Sequence, residues 1–323
     1  MRGIVFSLTP PDLGPWRAGN TGVEGVWHFQ SDVPGRRVML SALVHGNELC
    51  GAWALKELLE AGVRPACGSL TLAFCNLDAF DRFDPNHGDA SRFVDEDMNR
   101  QWVQGRLAMG NTCERRRAAA LAPFVQRADW LLDLHSMHEP GLPLSLVGTH
   151  ARNLALAREL RAPVHVVVDA GHRDGVRMRD YGRFDEPDTE QPDTRSLLIE
   201  CGYHRDPASA GVARDQCARF LVAAGTLTAS SAQRSLPGWK MPDAPIQWAL
   251  HVTDAVVARS QNFAFTEAFQ GLEVIPHAGT AIGDNDGEPV KTPYDNCVLV
   301  MPSTRQARKG VTVVRLARRL ALS

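Results

Sequence analysis

Short apolar runs alternate with segments of helical patterning through the first two-thirds of this chain, and that alternation limits its fold more than any other feature. The runs are residues 37–45 (RVMLSALVH), 69–76 (SLTLAFCN), 129–135 (DWLLDLH) and 195–201 (RSLLIEC), with a further one at 164–168. Each is short and apolar, as expected of a strand buried on both faces. Helical patterning covers about Leu49 to Ala61, stopped by Gly62 and Pro65, then 112–127 and about 212–225. Strands alternating with helices predict an α/β fold, with a mixed, mostly parallel sheet covered by helices on both faces. Ligands of such sheets gather beyond the carboxyl ends of the strands. His45, His135 and Glu200 each fall at the end of a predicted strand, so residues remote in sequence are expected on one rim.

After residue 232 the pattern changes. Ser235-Leu236-Pro237-Gly238 with Pro242 and Pro245 reads as a linker, followed by short β-type segments at 247–257, 271–276, 295–301 and 311–316. The expected division is a catalytic domain over 1–235 and a smaller β-rich domain over 236–323. A chain of 323 residues has room for both. The formal net charge of −2 provides no global field toward nucleic acid or an anionic membrane, so neither is an expected partner. No apolar run is long enough to cross a bilayer. Met1–Phe6 soon meets Pro10 and Pro11, without the apolar core of a secretory leader. The seven cysteines (50, 67, 75, 113, 201, 217 and 297) are scattered and form no C-x-x-C pair. That usage fits buried thiols in a reduced cytoplasmic setting better than a disulfide framework.

His45-Gly46-Asn47-Glu48 is an H-x-x-E arrangement where a strand turns into a helix. An imidazole and a carboxylate so placed can reach one zinc ion, with His135 as third ligand and one position open to water. Taken alone, the pair reads equally as a turn histidine beside a glutamate at a helix N-terminus, where the dipole favours it. Asp133, two residues before His135, shares its strand face and reads equally as a carboxylate that orients that imidazole or as a strand-end Asp capping a nearby loop. Arg92 and Asp97-Met98-Asn99-Arg100 add cationic and amide groups after the second strand, or else form a solvated salt-bridge loop with Asp95 and Glu96. Glu200 at the end of an apolar strand needs a partner or a raised pKa, and either suits proton transfer. A structural partner for it is available in Arg195 or Arg205. Cys201 is expected to point to the opposite face.

HGNEL at 45–49, RFVDEDMNR at 92–100, DLH at 133–135 and IECG at 199–202 occur in that order. Together they resemble the succinylglutamate desuccinylase/aspartoacylase family, a branch of the zinc carboxypeptidase superfamily. The resemblance implies a carboxypeptidase-like α/β/α catalytic domain followed by a smaller β domain. It implies one zinc ion on His45, Glu48 and His135, with Glu200 as the base that activates water. It further implies that Arg92 polarises the amide carbonyl and that Asn99 and Arg100 hold a substrate carboxylate.

The expected reaction is hydrolysis of a small N-acyl amino acid to a carboxylate and a free amine. The alternative is a metallocarboxypeptidase that removes a C-terminal residue. A third reading is a binding protein that keeps the zinc site as scaffold. The family's additional substrate-holding arginine and tyrosine have no clear counterpart in the stretch from Tyr181 and Arg183 to Arg195. His138 and His204 are candidates to line the pocket. Residues 271–293 faintly resemble a lipoyl-type barrel, but Lys291 lacks the context of a modified lysine. A structural β domain that shapes the pocket mouth or forms a homo-oligomer interface is expected there.

Overall fold

The computed structural model describes residues 7–172, 174–244 and 246–321. Met1–Phe6, read above for a leader, and Pro245 of the expected linker lie outside the described residues. Fourteen strands are present among the described residues: β1 Val26–Gln30, β2 Arg37–Ala42, β3 Ser69–Phe74, β4 Trp130–Met137, β5 Leu144–Leu146, β6 His165–Val168, β7 Arg195–Tyr203, β8 Trp248–Val257, β9 Ala264–Phe265, β10 Val274–Ile275, β11 Ala281–Asp284, β12 Pro289–Lys291, β13 Cys297–Val300 and β14 Thr312–Ala321. The helices are α1 Leu49–Glu60, α2 Leu77–Phe80, α3 Gln104–Met109, α4 Cys113–Arg127, α5 Ala151–Leu160, α6 Ala208–Ala223 and α7 Ala229–Ser235.

Eleven strands form one sheet in the order β1-β3-β2-β4-β7-β5-β6-β8-β14-β13-β10, and β12-β11-β9 form a small antiparallel sheet. The core strands β3, β2, β4 and β7 are mutually parallel, with β1 antiparallel at the edge. β5 runs antiparallel to β7, whereas β5, β6 and β8 are parallel to one another. Beyond β8 the pairing is antiparallel through β14, β13 and β10. The C-terminal segment thus continues the large sheet through β8 and adds a small sheet of its own.

Period-two alternation sends successive side chains to opposite faces. Val38, Leu40, Ala42, Leu132, Leu134, Ile199 and Cys201 pack with the apolar sides of α1, α5 and α6 in one core. Met39, Ala73 and Leu131 pack with Ala118, Leu121, Ala122 and Val125 of α4 in another. The result is an α/β/α sandwich, as expected. Cys201 lies in the first core, away from the face that carries Glu200. The described cysteines are all free, five of them buried. No helix among the described residues is long and apolar enough to cross a membrane.

The turn after β2 positions the site. Leu43 adopts a positive φ of 58°, a costly conformation for an apolar residue. Gly46 follows, and a Cβ there would lie 2.4–2.5 Å from backbone atoms of Ala79, Phe80 and Ser91. Only a residue without a side chain fits where these two backbones meet. Glu48 occupies the N-cap of α1 without capping it through its side chain. Its carboxylate is used across the rim instead.

Candidate metal centre

His45, Glu48 and His135 are all buried, and one ligating atom of each lies within 4.8 Å of the others. Glu48 Oε1 is 2.8 Å from Nδ1 of His45, and Oε2 is 2.7 Å from Nδ1 of His135. The backbone N–H of Ser136 also donates to Oε2, at 3.2 Å. Each imidazole has its other nitrogen held by a carboxylate: Asp97 Oδ1 is 2.9 Å from Nε2 of His45, and Asp133 Oδ2 is 2.9 Å from Nε2 of His135. Asp133 is itself fixed by the Ser41 hydroxyl at 2.8 Å. Holding Nε2 in this way aims both Nδ1 atoms at one point beside Glu48, the outer-shell arrangement of metal-bound histidine. Two nitrogens and a carboxylate suit zinc, with further positions open for water and substrate.

The charges support the same reading. Glu48, Asp133 and Glu200 are buried and Asp97 is nearly so. Although burial raises both Glu48 and Asp97, His45 and His135 hold the Glu48 carboxyl well below its usual range, and His45 with Arg92 and Arg100 does the same for Asp97. His135 is displaced the other way: burial opposes its charge, but Asp133 and Glu48 raise it well above the ordinary imidazole range. The carboxylates thus favour a positive charge between the rings, which a divalent cation would supply. The residues fit a metal ion.

Glu200 sits across the β4–β7 ladder in register with His135. Burial, then repulsion from Glu48, pushes its carboxyl up to about 8. Its Oε2 is buried without a hydrogen-bond partner. Neither Arg195 nor Arg205 serves it: Arg195 bonds backbone oxygens of Pro192 and Thr194, and Arg205 approaches Asp89.

Arg92 donates from Nη1 to Glu48 at 3.0 Å and from Nη2 to Asp97 at 3.3 Å. Its loop is pinned by Glu114 of α4, which accepts from the backbone N–H groups of Val94, Asp95 and Glu96. Asn99 uses its side-chain amide oxygen Oδ1 to accept from Met178 N–H at 2.8 Å, so part of it serves the fold. Arg100 lies beside Asp174 (3.4 Å) and lines the cavity with Asn99.

A cavity of about 450 Å³ joins these groups, and Met301, Ser303, Gln306, Arg308 and Arg315 of the C-terminal segment form part of its wall. Arg315, on β14, is buried and pairs with Asp169 at 3.1 Å. Arg177 also reaches Asp169, and His172 bonds Arg315 at 2.8 Å. Burial and the neighbouring Arg315 keep His172 well below the ordinary imidazole range. Arg177, His172 and Arg315 carry no motif in the sequence. Arg183 and Arg195, by contrast, do not line the cavity; Arg183 bonds Gln191 and Asp129.

Comparison with known proteins agrees with this geometry. Residues 34–209 match the model of the succinylglutamate desuccinylase/aspartoacylase catalytic domain. No curated protein sequence matches the chain. Among solved structures, a succinylglutamate desuccinylase/aspartoacylase from Rhodobacter sphaeroides aligns with a TM-score of 0.62 at 18% identity, over 91% of this chain and 88% of that one. The succinylglutamate desuccinylase of Vibrio parahaemolyticus gives 0.65 at 16% identity, over 92% and 86%. A product-bound ectoine utilization protein from Ruegeria pomeroyi gives 0.59 at 18% identity, over 91% and 95%. At these identities the structures show a shared fold, while the domain match spans more than half of the chain and includes His45, Glu48, His135 and Glu200. The chain belongs to the succinylglutamate desuccinylase/aspartoacylase family.

Proposed function

We propose that this protein is a zinc-dependent deacylase that cleaves the amide bond of an N-acyl amino acid or a similarly small amide. The observation that carries the reading is the convergence of the His45–Glu48–His135 cluster with Glu200, a buried carboxylate whose Oε2 has no hydrogen-bond partner, on one walled cavity. A bound zinc ion would supply an activated water and a positive charge for the carbonyl oxygen. Glu200, raised toward neutrality, takes the proton from the attacking water and gives it to the departing amine. Arg92 is held by Glu48 and Asp97 beside that point and stabilises charge building on the carbonyl oxygen. Arg100 and Asn99 receive a substrate carboxylate, with Arg177 and Arg315 adding positive charge to the cavity.

Met301, Ser303, Gln306, Arg308 and Arg315 of the C-terminal segment wall part of the cavity, and that wall supports a small substrate over a peptide. Side-by-side assay of N-acetyl, N-succinyl and N-formyl amino acids against C-terminal peptide substrates tests this choice. Release of amine from one of the acyl amino acids, abolished by Glu200→Gln with zinc retained, is the expected result. Turnover confined to peptides would establish the carboxypeptidase alternative instead.

A further inference from the structure

Among the described residues a second group of metal-ligating side chains lies on the same rim: Asp89, His138 and His204. Asp89 belongs to the short turn Gly88–Ser91, His138 follows β4 and His204 follows β7. His204 Nε2 and His138 Nδ1 are 3.1 Å apart, and His138 Nδ1 is 3.7 Å from Asp89 Oδ1. Ligand atoms around a tetrahedral zinc ion sit about 3.3–3.5 Å from one another, given bonds of about 2.0–2.2 Å. The two separations bracket that value, and Asp89 has enough exposure to rotate. We infer that Asp89, His138 and His204 form a second, weaker site for a divalent transition-metal ion at the mouth of the cavity.

The far side of each candidate ligand is held as an outer shell would hold it. Ser136 Oγ is 3.0 Å from Nδ1 of His204, which directs Nε2 to the cluster. Gln306 lies 3.2 Å from Nε2 of His138, which directs Nδ1 to the same place. With a cation on Nδ1, Nε2 carries the proton and donates to the amide oxygen of Gln306 after a flip of that amide. Arg305 takes the other oxygen of Asp89 at 3.2 Å, with Arg205 at 3.9 Å. Those arginines also explain why this site is the weaker one: a single carboxylate between two guanidiniums attracts a cation less than Glu48 does. Two nitrogen donors select a zinc-like ion over calcium or magnesium. His138 lines the cavity, so the remaining coordination positions face the substrate space. Ser136 links the two centres, with its N–H on Glu48 and its hydroxyl on His204.

The inference does not depend on the proposed reaction. Full-length protein carrying one equivalent of Zn²⁺ is titrated with Co²⁺ and followed by visible absorption and metal analysis. Binding of one further equivalent is expected, weakened at least tenfold by Asp89→Asn and by His138→Gln. The half-exposed Asp89 keeps the first variant foldable, and it leaves the first equivalent and the turnover without added metal intact. The absence of a further equivalent, or one that survives both substitutions, would overturn the site. Loss of the first equivalent or of amide hydrolysis bears instead on the proposed function.

Discussion

Asp97 Oδ1 lies 2.9 Å from Nε2 of His45, a residue 52 positions earlier in the chain. The contact turns an acidic loop that looks solvated in the sequence into the group that orients the His45 ring of the candidate metal centre. It also repeats, from a different element, the relationship that Asp133 has with His135.

Asp97→Asn keeps the size of the side chain and removes its charge. Such outer-shell partners change metal affinity by roughly 10–100-fold. A loss of that size is expected in competition with a chromophoric chelator; an unchanged affinity would show that Asp97 serves only to cap the Met98–Arg100 turn.

The metal-free protein should lose stability as pH rises from about 4.5 toward 8. Glu200 is raised from the usual 4.5 to about 8 by burial and by Glu48. Below the lower value both folded and unfolded chains hold the proton, and its contribution to stability is fully present. Between the two values the unfolded chain releases the proton while the fold retains it, so stability falls by up to about 1.4 kcal/mol per pH unit. Glu200→Gln removes this dependence. Denaturant unfolding of chelator-treated wild type and variant at pH 5, 6.5 and 8 reads the difference, and parallel curves would refute it.

Arg92 and Arg100 should separate kinetically. Arg92→Gln is expected to lower kcat by about 10²–10³, the range for loss of one oxyanion donor. Arg100→Gln should raise KM by about tenfold or more with a smaller change in kcat, as loss of a charge-assisted bond to substrate would do. The reverse pattern would exchange their roles.

Gly46→Ala should release the metal. Its Cβ meets three backbone atoms that cannot rotate away, so the His45–Glu48 turn must shift. A stability loss of roughly 1–3 kcal/mol is expected for such overpacking. Gly211→Ala in α6, where a Cβ meets nothing within 4 Å, is the control and should be neutral or stabilising by up to about 1 kcal/mol. Thermal melts and zinc content measured together decide the matter.

The parallel core and its rim were legible because apolar runs and turn residues are local signals. The runs at 37–45, 69–76, 129–135 and 195–201 correspond to β2, β3, β4 and β7, and α1 spans Leu49–Glu60 against the expected Leu49–Ala61. His135 and Glu200 lie within their strands rather than at their ends, since β4 continues to Met137 and β7 to Tyr203. Elements with weaker patterns escaped: the edge strand β1, the three-residue β5, and α5 with its mixed face. The pairing of Asp133 with His135 followed from their two-residue spacing. The roles of Asp97, Glu114, Arg177 and Arg315 did not, because each acts on a partner brought near only by the fold. Composition also marks a change near residue 235, yet it carries no information on the main-chain pairing of β6 with β8.

That pairing has a mechanical consequence. His165 to Val168 are in register with Trp248 to His251, and β8 in turn carries β14 and Arg315. The cavity wall and the strands bearing His135 and Glu200 are therefore threaded on one hydrogen-bonded fabric. A hinge between them would have to tear a ladder open, so entry and exit fall to loops and side chains at the mouth, where His138 and Gln306 meet.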